Sequence, residues 1–172
     1  MNVITAKRET PAGPSATKVC GQRLSLTLPF VDAIAQLFEK MLGCPVEVSE
    51  LSATTSRSAP TDICGRIDFS GEYRGNMCLR LEPAAAHAMG KAFTGMTFDL
   101  HSAEMADTVG ELSNMIAGAA KAKLGIRTRI SVPKVWIGVE IDPPAPVGAV
   151  IPCRVGDASF SVEITLVQQQ AA

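Results

Sequence analysis

Ser102–Leu124 reads SAEMADTVGELSNMIAGAAKAKL, and its periodicity decides how the rest of the chain is arranged. At about 100° per residue, Met105, Val109, Leu112, Ile116, Ala119 and the aliphatic stem of Lys123 fall on one face, the expected core side of a long helix. Glu104, Asp107, Glu111, Asn114, Gly118 and Lys121 follow the same spacing on another face. Ser102 is the expected N-cap, and Glu104 in the first turn complements the helix dipole. A glycine inside a helix costs about 1 kcal/mol relative to alanine. Its presence at Gly118 therefore points to a close approach there, by a partner or by packing within the chain.

Toward the N-terminus, Pro83 opens a shorter helix with Ala85, Ala88, Met89 and Phe93 as its apolar members, and Gly95 ends it. Before it, Ile63, Gly65, Ile67 and Phe69 alternate with polar residues, as do Tyr73, Gly75, Met77, Leu79 and Leu81. The SGE between these runs predicts a hairpin. Cys44–Leu51 reads as extended and the Ser/Thr-rich 52–61 as a loop. Phe30, Ile34, Leu37, Phe38, Met41 and Leu42 mark a helix that starts at Pro29 and closes at Gly43, preceded by a short strand over Arg23–Leu28.

Toward the C-terminus the pattern changes to strands. Ile130–Glu140 places Val135, Ile137 and Val139 on one side, with Trp136 and Gly138 on the other. Asp142–Pro146 is a rigid turn. Val147–Val155 and Ser159–Val167 join through Gly156-Asp157, with Ser159, Ser161, Glu163 and Thr165 on a wet face. Helices and hairpins are segregated, so the expected class is α+β, an antiparallel or mixed sheet layered against long helices. The expected organisation is a flexible arm over 1–20, one domain over 21–168 and a tail over 169–172.

The 172 residues are 47% hydrophobic and 19% charged, with a formal net charge of −1. Dispersed basic residues argue against a nucleic-acid surface, and no apolar run reaches the roughly 20 residues that span a bilayer. Residues 1–18 lack the sustained apolar core of a secretory signal. The five cysteines have no CxxC and no histidine nearby, which suggests buried, inert thiols in a reducing cytoplasm. Nucleotide and metal motifs (Walker loop, GxGxxG, HExxH, EF-hand loop) are absent. His87 reads as a partly buried packing residue, His101 as solvated, and no GxSxG elbow supports a Ser-His-Asp triad.

What remains is Asp107-x-x-x-Glu111-x-x-Asn114, continuing as NMIxGxxK. This DxxxExxN on a helix resembles the signature of the CheC/CheX family of chemotaxis phosphatases. The likeness runs from about Leu28 to Glu140: PFVDAIAQLFEKMLG resembles the family's first helix, IDFSGEYRGNMCLRL its strand pair and ISVPKVWIG the strand after the motif helix. The first helix carries no second ExxN, which places the chain nearer the CheX branch.

The resemblance implies a cytoplasmic homodimer that removes the phosphoryl group from the aspartate of a CheY-like receiver. It implies Asn114 orienting the attacking water and Glu111 pairing with the receiver's lysine. Asp107, Glu104, Gly118 and Lys121 would meet the partner. It implies no cofactor of the chain's own, the Mg²⁺ being the receiver's; the dispersed basic residues and the lack of a spanning apolar run argue against nucleic acid as a partner and against membrane insertion. It equally admits a non-catalytic module of the same fold that binds a receiver or a flagellar-switch component.

Overall fold

The computed structural model describes residues 16–51, 62–138 and 148–169, with side chains from Ser25 onward. In chain order these form α1 (Ala16–Lys40), β1 (Glu47–Val48), β2 (Ile63–Gly71), β3 (Tyr73–Leu81), α2 (Pro83–Thr94), α3 (Ala103–Leu124), β4 (Thr128–Ile130), β5 (Lys134–Ile137), β6 (Ala149–Val155) and β7 (Ala158–Gln168). The expected arm up to residue 15, the 52–61 loop, Val139, Glu140, the Asp142–Pro146 turn and residues 170–172 lie outside the described residues.

One antiparallel sheet runs β1-β6-β7-β3-β2-β4, and β5 also pairs with β2. The predicted hairpin forms in register from Phe69 opposite Gly75 to Ile63 opposite Leu81. A second two-residue hairpin turns at Gly156-Asp157, with Val155 opposite Ala158. Gly156 supplies the positive φ that such a turn needs. One sheet face carries Ile63, Ile67, Phe69, Met77, Leu79, Leu81, Ile151, Phe160, Val162 and Ile164. It shares a single core with Phe30, Ile34 and Phe38 of α1, Ala86 and Met89 of α2, and Met105, Val109, Leu112 and Ile116 of α3. The architecture is α+β, with the three helices layered on the sheet.

Two aromatic contacts orient α1. Phe30 meets Phe69 edge-on at 6.1 Å, and Phe38 stacks on Phe160 at 5.1 Å, near the opposite end of the strands. On α3, Val109 and Ser113 sit over Gly65, while Gly125 leads into Thr128 beside Gly71. The two long helices therefore run antiparallel, and Lys123 bonds Asp32 across them at 3.3 Å.

Several expectations need correction. Arg23–Leu28 is helical and Pro29 lies inside α1, not at its start. Thr27, Phe30, Ile34, Leu37 and Phe38 form a buried stripe at helical spacing, and that packing outweighs the N–H that proline lacks. Only Glu47–Val48 of the extended 44–51 segment pairs in the sheet. Ile130–Glu140 is not one strand: β4 and β5 are separated by Ser131–Pro133. His87 and Ala88 are exposed on α2, whose buried side is Ala85, Ala86, Met89 and Gly90.

The supposed wet face of β7 holds a buried charge. Glu163 is 4% exposed and Arg80 5% exposed. Arg80 donates from Nε at 3.0 Å and from Nη2 at 3.2 Å to the two Glu163 carboxylate oxygens. Burial opposes the arginine's charge, but the Glu163 carboxylate more than offsets it and raises the Arg80 pKa.

Candidate functional site

The candidate site is the solvent side of α3, and the local sequence fixes its position. Ser102 is the N-cap, its Oγ accepting the Met105 N–H at 3.1 Å. At the other end Gly125 takes a left-handed conformation, φ 63°, and its N–H donates to the Lys121 carbonyl. Between the caps the core side is wider than a narrow stripe: Thr108, Gly110, Ser113, Ala117 and Ala120 are buried beside Met105, Val109, Leu112 and Ile116. Ala119, expected in the core, is exposed, as is Lys123.

The close seat of α3 on the sheet depends on Gly65. A Cβ there would collide with Ser113 Oγ and lie 3.1 Å from Val109 Cγ1. Ser113 turns its hydroxyl back to the Val109 carbonyl at 2.7 Å, so a small polar residue is buried with its donor satisfied. In the sequence Gly65 is visible only as one member of an alternating strand. The signal that would have found this contact is a glycine at a core-facing strand position matched by a small helix residue.

Nine buried positions leave one uncovered sector, and it holds all six residues singled out from the sequence. Glu104, Asp107 and Glu111 are exposed; Asn114, Gly118 and Lys121 are half-buried. Among the described residues, no hydrogen bond or ion pair engages the side chains of these six. Glu111 and Asn114 are one turn apart, so their Cβ atoms are about 5–6 Å from each other. Three carboxylates on successive turns, with no paired cation among the described residues, give this end of α3 a negative surface. The carboxamide of Asn114 adds a donor and an acceptor that do not titrate.

Gly118 separates two explanations that the sequence leaves open. A Cβ built on it meets nothing within 4 Å. Packing among the described residues therefore does not require glycine at 118.

The remaining reactive groups are quiet. Burial pushes the thiols of Cys64 up to about 11 and of Cys78 and Cys153 up to about 12, so they are protonated at neutral pH. Cys44, half-buried, is also raised by burial. Among the described residues no group of three or more His, Cys, Asp or Glu could hold a metal ion, and no helix is long and apolar enough to cross a membrane.

Residues 63–153 match the family model described as chemotaxis phosphatase CheX. No curated protein matches in sequence. Among solved structures, the chemotaxis protein CheX from Vibrio vulnificus superposes with a TM-score of 0.72 at 20% identity, over 83% of this chain and 99% of that one. CheX from Borrelia burgdorferi, solved as a complex with CheY, BeF3 and Mg²⁺, gives 0.69 at 17% identity, over 82% and 97%. FliY from Thermotoga maritima gives 0.58 at 16% identity, over 91% and 92%. These likenesses establish a common fold. The family match spans the central hairpin, α3 and the strands on either side of the uncovered sector, and covers more than half of the sequence: the chain belongs to the CheX family of chemotaxis phosphatases.

Proposed function

We propose that the chain is a phosphatase for the aspartyl phosphate of a CheY-like receiver domain, acting in the cytoplasm in chemotaxis or a related two-component pathway. The observation that carries this reading is the pair Glu111 and Asn114, one turn apart on an uncovered helix face and without a side-chain partner among the described residues.

The chemistry suits these residue types. Hydrolysis of an acyl phosphate needs water in line with the P–O bond to the aspartate and neutralisation of the phosphoryl oxygens. Asn114 Oδ1 accepts a hydrogen bond from the water and directs its oxygen at phosphorus, without a pKa to match, and the water's protons leave with the phosphate. The P–O bond to the receiver breaks, the aspartate leaves as carboxylate and the phosphoryl group leaves as inorganic phosphate. Glu111 pairs with a lysine beside the receiver's phosphorylation site and fixes the register. Asp107 and Glu104 extend the negative surface toward the partner, Gly118 admits its backbone and Lys121 contacts its rim. The receiver brings the Mg²⁺. A homodimer, as the family resemblance implies, would present two such faces.

The test is phosphate loss from a receiver charged by a small-molecule phosphodonor. The wild type accelerates it, Asn114→Ala does not, and Glu111→Ala weakens both docking and rate. Decay that the wild type leaves unchanged would sink the reading. The shared fold of FliY supports a second one, a module that docks on a receiver or switch component without turnover. It predicts binding with phosphoryl decay unchanged or slowed.

A further inference from the structure

Val132 is the most exposed large apolar side chain among the described residues, at 78%. A single exposed valine needs no explanation; this one has an unusual setting. The segment that holds it is pinned. Ser131 N–H donates to the Asp68 carbonyl at 2.9 Å. Ser131 Oγ accepts the Asp68 N–H at 3.0 Å and donates to the Val132 carbonyl at 2.8 Å. On the other side Pro133 rests on α3, where a Cβ on Gly110 would touch its ring at 3.4 and 3.5 Å.

That contact sets where the segment lies. Gly110 directly precedes Glu111 and is one turn before Asn114, so at about 100° per residue Asn114 is only about 40° around the helix from it. Ser131–Pro133 therefore flanks the Asn114 side of the stripe. Beyond Asn114, Gly118 leaves the helix surface bare. A fixed apolar wall thus stands beside a bare helix floor, next to three carboxylates with no paired cation among the described residues. A partner that fits must bring a cation to the acidic end and an apolar patch to one side of it.

Resting on the receiver reading above, we propose that Val132 is an apolar docking peg for the phosphorylated receiver and sets affinity without taking part in the chemistry. Because the segment is already pinned, little conformational freedom is lost when the peg is covered. Its removal is therefore expected to change binding and to leave the bound rate alone.

The test is titration of the full chain with a CheY-type receiver loaded with beryllofluoride and Mg²⁺, together with phosphate release from the phosphorylated receiver. Val132→Ser is expected to raise Kd and KM about tenfold with kcat within twofold of wild type, Val132→Ile to bind within twofold, and both to melt as the wild type does. If Val132→Ser binds as tightly as wild type, the peg is wrong while the receiver reading stands. If the wild type itself does not bind loaded receivers, the receiver reading falls and the peg with it.

Discussion

At the scale of single residues, the most informative positions are two glycines with opposite surroundings. Gly65 has no room for a Cβ, because Ser113 Oγ occupies that space. Gly65→Ala is expected to destabilise the fold by about 1–3 kcal/mol, as overpacking does, read as a lower denaturant midpoint at constant m. Gly118 has open space, so Gly118→Ala is expected to stabilise by up to about 1 kcal/mol through helix propensity alone. On the receiver reading the same substitution weakens docking. Thermal melting and receiver titration of this one variant should move in opposite directions; a variant that is more stable and binds equally well removes Gly118 from the interface. Asp68 provides a pH handle. Partial burial pushes its carboxyl up, but hydrogen bonds from Arg66 at 2.7 Å and Lys134 at 3.2 Å outweigh that and hold it below the ordinary range. A depressed folded pKa contributes stability above the unfolded value near 3.9 that is lost as pH falls through the folded one. Stability of Asp68→Asn should therefore fall less steeply than wild type over that acid range, measured by denaturant titration at several pH values.

At the scale of elements, legibility followed whether local pattern and tertiary packing agreed. The helix of Ser102–Leu124 carried both its cap signals and its apolar period, and α3 runs from Ala103 to Leu124. The two hairpins were legible because each turn had the residues its geometry needs. Arg23–Leu28 was not, since Leu24, Leu26 and Leu28 alternate while Pro29 suggests a break. Only Thr27 joining the stripe of Phe30 and Ile34 reveals the helix, and a threonine gives no such signal in advance. Glu163 is hidden for a related reason: alternation assigns it to the side away from the helices but cannot say whether that side is wet. Its partner Arg80 lies on the neighbouring strand, 83 positions away in sequence. Glu163→Ala leaves the arginine charge buried and unpaired and is expected to cost about 3–5 kcal/mol, whereas Arg80→Met with Glu163→Leu should come out near neutral. Chemical denaturation of the single and double variants checks this; equal losses in both would mean that the pair itself stabilises the sheet.

At the scale of the whole molecule, the sheet and α1 back α3, and the polar surface that α3 presents is left uncovered by the described residues. The six candidate residues are legible in the sequence as one helix face. That none of them is buried and that none has a side-chain partner among the described residues is visible only in the fold, because periodicity gives a face and not what lies over it. The described residues offer no metal cluster, and their titratable thiols are protonated by burial. An active site completed by the phosphorylated partner is the reading that uses Glu111 and Asn114 together. The most direct measurement is phosphate release from an excess of phosphorylated CheY-type receiver by a substoichiometric amount of this chain, wild type against Asn114→Ala. The account predicts many receivers turned over per wild-type chain. It predicts a roughly 100-fold lower rate for the variant, by analogy with losing one positioned group in an active site, and binding of the beryllofluoride-loaded receiver within a few-fold of wild type. Equal rates for wild type and variant, or a wild type that leaves the receiver's own decay unchanged, would contradict it.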